Sequence, residues 1–300
     1  MLKKNHLIIA GTHKSGTTSL FNHLSSHPQI SPSKVKETHF YTPLRYGKQI
    51  GTYQDYLAYF HNIKPNTKFI LEASPSYFYG NSALFGRIRN DLGNRLKCIV
   101  ILRNPVDRLV SFYNHAQYAM YLPKDLSFEH FLTQSIKGSK GVEQDNPIAR
   151  GVREGYYLNY LKEWDQEFKS ETKILFFEHF IQQSECQLKE IANWLELDSA
   201  LEIDKANKSN QSRGFNYRGL HKMALHLNRK AEPFFNRSPI LKKKLRSIYG
   251  QLNDSSKKYK PNKEIQLTLE DLYRDSNQKL ADYLLQQDNS INLPDWLKSK

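Results

Sequence analysis

The chain carries the segment Gly11-Thr12-His13-Lys14-Ser15-Gly16-Thr17-Thr18-Ser19 between an apolar run, Leu7-Ile8-Ile9-Ala10, and the helix-spaced pair Leu20-Phe21 and Leu24. Strand, glycine loop and helix together present backbone N–H groups at a helix N-terminus, where phosphates bind. The loop of an ordinary nucleoside triphosphatase ends in Gly-Lys-Ser/Thr. Here Thr17 follows Gly16, and Lys14 stands two residues before that glycine. The loop is built for a phosphate, but its lysine serves a different donor.

Three further constellations carry chemistry. Leu102-Arg103-Asn104-Pro105-Val106 reads as strand, turn and helix, with Ser111 about two turns into the helix. An arginine fork at the carboxyl end of a strand, joined by a hydroxyl, can hold a second phosphate. The same residues also read as a strand end and a surface serine. Lys36-Glu37-Thr38-His39-Phe40-Tyr41 offers Glu37 as a base for a hydroxyl proton, beside Lys36 and His39. Glu72-Ala73-Ser74-Pro75-Ser76-Tyr77-Phe78 follows another strand end. It is either a turn or a wall of an acceptor site.

The elements that must position these groups alternate along the chain. Strands are expected at Leu7–Ala10, Lys68–Leu71, Lys97–Leu102 and Lys173–Phe177, each short and nearly continuous in apolar residues, as strands buried on both faces are. Helices are expected at Tyr53–Phe60, Ser82–Asp91, Val106–Tyr121, Ser127–Ser135, Tyr156–Phe168 and Ile181–Leu195. This alternation implies an α/β fold with a central parallel sheet flanked by helices. Residues 198–217 are polar, basic helical stretches follow at Leu220–Arg229 and Ile240–Tyr249, and a lysine-rich loop precedes a long helix at Leu267–Leu285. One domain is expected, with residues 1–197 as its core and residues 198–300 packed on it.

A formal charge of +14 predicts an affinity for anions without choosing among nucleotide, anionic glycan, nucleic acid and membrane surface. Cys98 and Cys186 are expected to be reduced structural thiols. Met1 to His6 lead directly into the first strand, and no membrane-length apolar segment is visible, so a cytoplasmic enzyme is the expectation.

Taken in order, Gly-Thr-x-Lys-Ser-Gly-Thr-Thr-Ser-Leu, Lys-Glu-Thr-His-Phe-Tyr, Glu-Ala-Ser-Pro-Ser-Tyr-Phe and Leu-Arg-Asn-Pro-Val-Asp-Arg-Leu-Val-Ser-Phe-Tyr resemble the sulfotransferases that use 3′-phosphoadenosine 5′-phosphosulfate (PAPS), the heparan-sulfate type above all. The resemblance continues through Gly155-Tyr156-Tyr157, Trp164, the segment Tyr273 to Leu280 and Trp296, and so spans nearly the whole chain. It implies a fold like that of P-loop nucleoside triphosphate hydrolases, PAPS as sulfuryl donor with no metal, and a hydroxyl acceptor, expected to be a carbohydrate. By this resemblance Lys14, Ser15, Gly16, Thr17 and Thr18 hold the 5′-phosphosulfate, and Arg103 and Ser111 hold the 3′-phosphate. A late basic loop at Arg213-Gly214-Phe215 or at Tyr217-Arg218-Gly219 covers the nucleotide. Lys14 and Glu37 are the expected catalytic pair, with Lys36, His39, Glu72 and Ser74 at the acceptor site. Ala73 stands where some heparan-sulfate enzymes carry a lysine, and the chain shows no secretory-membrane anchor, as in a bacterial-type soluble member. A P-loop kinase and a basic nucleic-acid-binding protein are the alternatives.

Overall fold

The computed structural model describes residues 4–123, 125–139, 146–201, 214–215, 223–224, 254–255 and 258–298. Five strands form one parallel sheet in the order β2-β3-β1-β4-β5: β1 (Asn5–Gly11), β2 (Ile30–Pro32), β3 (Phe69–Ala73), β4 (Leu96–Leu102) and β5 (Thr172–Phe176). The central strand β1 is buried from His6 to Gly11, with Leu7, Ile8, Ile9 and Ala10 fully inaccessible. A strand covered on both faces needs an unbroken apolar run, which this segment supplies. Its neighbours diverge in chain order on either side, so the carboxyl ends of β3, β1 and β4 open onto one crevice.

Helices cover both faces. α1 (Thr17–Ser26) and α9 (Ser184–Trp194) bury Leu20, Leu24, Leu188 and Ile191 against one face. On the other face lie α2 (Tyr53–Leu57), α3 (Ser82–Leu92) and α7 (Tyr157–Phe168), with Phe78, Phe85, Trp164 and Phe168 in mutual contact at ring separations of 4.7–6.1 Å. α4 (Pro105–Tyr118) begins where the sequence dictates: Asn104 Oδ1 accepts from the Val106 N–H at 3.0 Å, and Pro105 fills the first turn. α5 (Phe128–Gly138) and α6 (Pro147–Arg153) form a satellite cluster on α4.

The strands and helices expected before residue 198 are present with shifted ends. The Tyr53–Phe60 helix stops at Leu57, and the Ile181–Leu195 helix divides into α8 (Phe177–Gln182) and α9. Gln183, at φ −130° and ψ 43°, ends the first helix and opens the second. β2 and α6 were not anticipated. β2 is three residues long and ends in proline, an edge-strand composition with too little pattern to read. α6 contains Gly151, whose lack of a side chain admits the Phe131 ring; a Cβ there would stand 2.5 Å from it.

Beyond residue 201, Gly214–Phe215 (β6) pairs antiparallel with Asp254–Ser255 (β7), and β6 lies against α4. The expected helices at Leu220–Arg229 and Ile240–Tyr249 fall outside the described residues apart from Met223 and Ala224. The last helix, α10 (Lys263–Gln287), starts at an Asn262 cap and sends Leu280, Ala281 and Leu284 into the cluster that contains Ile8 and Val100. Trp296 donates to Glu178, whose other oxygen accepts from the Asn104 N–H, so the chain end fixes the turn that follows β4. Among the described residues no helix is long and apolar enough to cross a membrane, and Cys98 and Cys186 are unpaired.

At the exit of β1, an ideal Cβ on Gly11 would lie 2.6 Å from the Phe78 Cβ. Gly11→Ala is expected to destabilise the protein by about 1–3 kcal/mol through overpacking, read as a lower urea midpoint at unchanged m-value.

Candidate active site

The loop after β1 is held from beneath. The Thr12 hydroxyl donates to the Ile101 carbonyl at 2.8 Å and lies 2.6 Å from the Ser15 hydroxyl, and the Thr12 N–H bonds the same carbonyl. Ser15 has no exposed surface, so its side chain serves the loop and leaves its N–H as its means of holding an anion. Gly16 adopts φ +81° at the N-cap of α1, and a Cβ there would stand 2.9 Å from the Phe177 ring. No side chain caps this helix, so its first-turn N–H groups, with Thr17 and Thr18, keep the donor capacity that an anion needs.

Arg103 leaves the end of β4, lies 4.5 Å above the Phe177 ring and donates to the Lys14 carbonyl at 2.8 Å. Its Nε is buried without a hydrogen-bond partner among the described residues. Tyr157 donates to the Arg103 carbonyl at 2.8 Å. Ser111 sits partly exposed two turns along α4. Arg213, Arg218 and Gly219 lie outside the described residues.

Lys14 has φ +67°, a left-handed backbone that its surroundings impose on a bulky residue. Burial, with help from Arg103 and Lys36, lowers its ammonium to about 8, while Glu37 opposes that shift. At pH 7 it remains mostly protonated. Glu37 faces it from the segment after β2. Burial acts to raise the Glu37 carboxyl, but the His39 hydrogen bond and the Lys36 charge outweigh it and hold the group well below the usual carboxylate range. Lys36 donates to Glu37 Oε1, and His39 Nε2 lies 3.4 Å from Oε2. The structure therefore brings Lys14, Lys36, Glu37 and His39 together.

Glu72 and Ser74 lie elsewhere relative to this surface. Both are fully buried beneath the Glu37 loop, with Thr38 Oγ1 donating to Glu72 Oε2 at 2.5 Å and the His39 N–H donating to Ser74 Oγ at 3.1 Å. They support the loop from below and offer nothing to a molecule above it.

Sequence reading passed over the charges behind the loop. Glu154, fully buried, receives His13 Nδ1 at 3.0 Å and Arg150 Nε at 2.8 Å, with Arg45 at 3.6 Å and Arg108 at 3.9 Å. Burial pulls the Glu154 carboxyl upward, but Arg150, the His13 hydrogen bond and Arg45 outweigh it and hold the group far below the ordinary value, while burial lowers the His13 imidazole itself. The His13 ring stacks on Tyr79 at 5.3 Å. His115 was also missed. It is solvent-accessible yet walled by protein, which lowers its imidazole to about 4, and it feels the charges of Lys14, Glu37 and His13. Its spacing of four from Ser111 puts both on one helix face, a signal the sequence did contain.

A phosphate loop with a lysine before its second glycine, a guanidinium at the next strand end and a carboxylate facing the lysine are the parts of a group-transfer site for an anionic donor. The profile of the sulfotransferase domain family matches residues 4–248. The chain belongs to that family. It is 34% identical over 167 residues to the bifunctional heparan sulfate N-deacetylase/N-sulfotransferase 2 of Bos taurus, covering 52% of this chain and 18% of that protein. The corresponding enzyme 1 of Xenopus laevis is 26% identical over 304 residues, 98% of this chain and 31% of that protein. The chain thus spans less than a third of these relatives' length. A sulfotransferase of Alicyclobacillus acidocaldarius shares the fold, with TM-score 0.57, 23% identity and coverage of 70% of this chain and 87% of that one. The expected α/β fold and the expected family are both present.

Glu154→Gln leaves buried cations without their counter-charge and is expected to destabilise the protein by about 3–5 kcal/mol. Because folding depresses the Glu154 pKa, its contribution is full above the unfolded carboxylate value and is lost as pH falls through the folded one. Urea titrations from pH 7 to pH 3 should show the wild type losing more stability than the Gln variant. Parallel curves would contradict this.

Proposed function

We propose that this chain transfers the sulfuryl group of PAPS to a glycan, with Glu37 as base and Lys14 stabilising the leaving group. The observation that carries the reading is the Glu37 carboxylate, paired with Lys36 and His39 and close enough to Lys14 of the phosphate loop to act on its charge. Glu37 takes the proton of the acceptor hydroxyl, whose oxygen attacks sulfur in line. The bond between sulfur and the bridging oxygen of the 5′-phosphate breaks, and Lys14 meets the charge that develops there. The uncapped N–H groups at the start of α1, with Thr17 and Thr18, hold the phosphate. The unpartnered Arg103 Nε and Ser111 take the 3′-phosphate. This is catalysis by positioning and electrostatics, the logic of phosphoryl transfer.

For the late loop, the position of β6 against α4, the helix that carries Ser111, supports the Arg213-Gly214-Phe215 register over that at Arg218 and Gly219. Lys36 and His39, at 16% and 48% side-chain exposure, form the acceptor-facing surface. The likeness to heparan sulfate N-sulfotransferases supports a glycan acceptor, with an amine as an alternative nucleophile to the hydroxyl.

Calorimetry without magnesium should show adenosine 3′,5′-bisphosphate binding in preference to ADP and ATP, with Arg103→Ala weakening it at least tenfold. Equal or better binding of ATP would return the P-loop kinase to first place. Lys14→Ala is expected to lower turnover by about 10²–10³-fold, the scale of losing one transition-state donor. Glu37→Gln should abolish transfer while bisphosphate affinity stays within twofold, and lost affinity would assign Glu37 a structural role instead.

A further inference from the structure

The segment that presents Glu37 is held in an unusual conformation. Glu37 has φ +66° and His39 has φ +52°, both in the left-handed region that non-glycine residues avoid. Such backbone persists where its surroundings over-determine it. Thr38, between them, is turned inward, 9% exposed, and its hydroxyl donates to Glu72 Oε2 at 2.5 Å. Ser74 Oγ donates to the same oxygen at 3.2 Å and accepts the His39 N–H at 3.1 Å. The Phe40 N–H returns to Thr38 Oγ1 at 3.3 Å, and the Tyr41 N–H donates to the Tyr77 hydroxyl at 3.2 Å. One buried carboxyl thus anchors, directly or through Ser74, the two residues that follow the proposed base.

We propose that Glu72 is a positioning residue for the proposed base: its ionised carboxyl clamps Thr38 and Ser74 and so orders the Glu37–Tyr41 loop, and its protonation releases that loop. The inference rests on the sulfotransferase reading only for the role of Glu37; the clamp itself stands on the geometry of the loop.

The chemistry of the carboxyl explains the release. An ionised carboxylate accepts both hydroxyl bonds on Oε2 with the added strength of charge. The other oxygen, Oε1, is buried with no hydrogen-bond partner among the described residues. A proton on either oxygen removes the charge that strengthens the bonds to Thr38 and Ser74. On Oε1 it meets no acceptor, and on Oε2 it occupies the oxygen that both hydroxyls use. Burial raises the Glu72 carboxyl to about 7, against the hydrogen bonds from Thr38 and Ser74 and the nearby Tyr77 hydroxyl, which favour its ionised form. Folding therefore binds this proton more tightly than the unfolded chain does, and the ionised clamp is held at the expense of stability as pH rises through about 7.

The titratable groups facing Glu72 are His39 and Tyr41 on the loop, Tyr56 on α2, Tyr77 beyond β3 and Cys98 on β4. Burial pushes the tyrosines and the thiol upward, away from neutrality, so they do not change charge near pH 7. His39 is kept in the variants below and serves as their internal control.

Hydrogen–deuterium exchange of peptides spanning residues 36–42, corrected for the intrinsic pH dependence, tests the clamp without any acceptor. In the wild type, protection is expected to rise roughly tenfold from pH 6 to pH 8, an estimate that takes one proton as the switch. Glu72→Gln should give flat protection at the wild type's low-pH level, with β1 and β4 peptides unchanged. Thr38→Val, which removes the loop end of the bond and keeps Glu72, should be flat and low as well. A wild-type loop without pH dependence, or a Glu72→Gln loop that keeps it, overturns the proposal. Calorimetry with adenosine 3′,5′-bisphosphate on the same proteins separates the two claims. A wild type that does not bind overturns the donor reading, while the exchange profiles still decide the clamp.

Discussion

One buried carboxylate ties the walls of the crevice to one another. Glu154 receives His13 from the phosphate loop, Arg45 from the segment after the Glu37 loop, Arg108 from α4 and Arg150 from α6. Three arginines and one imidazole meet the same two oxygens. Charges removed from water are tolerated only when paired and hydrogen-bonded, so a shift of α4, α6 or the Arg45 segment would part an arginine from its counter-charge. An apolar interface could slide and repack, whereas this one has a single register. The arrangement converts the position of α6 into the position of the loop that carries Lys14.

The sheet supplies the second constraint. β4 pairs with β1 in a register that shifts between Ile9 and Gly11, and the Thr12 side chain and backbone both return to the Ile101 carbonyl. The loop therefore leaves the sheet already attached to the strand that delivers Arg103. Arg103 closes the circuit through the Lys14 carbonyl. The C-terminal tail reaches the same turn through Trp296 and Glu178, which is why a residue near the chain's end belongs to the structure of the site.

Much of this was legible in the sequence, for reasons that differ by residue. The buried strands announce themselves because Leu7–Ala10 and Cys98–Leu102 have no polar interruption. The start of α4 is written in Asn104 and Pro105. Gly16 and the displaced Lys14 mark the anion loop through their spacing alone. The Glu154 network was not legible, since its members stand at positions 13, 45, 108, 150 and 154, and no local pattern links them. Glu72 shows a different limit: the sequence puts it at a strand end near the crevice, but only the fold shows that it lies beneath the loop with no exposed surface. Strand-end position marks proximity to a site, and burial decides whether a residue touches a ligand or supports the ones that do.

The decisive measurement is transfer of radiolabelled sulfonate from PAPS to a panel of desulfated and N-unsubstituted glycans, with a chelator present. Sulfuryl transfer with Glu37 as base requires labelled glycan in equal amount to adenosine 3′,5′-bisphosphate, with no label moved by Glu37→Gln. Release of bisphosphate without labelled glycan, or turnover of ATP in its place once magnesium is restored, would contradict it.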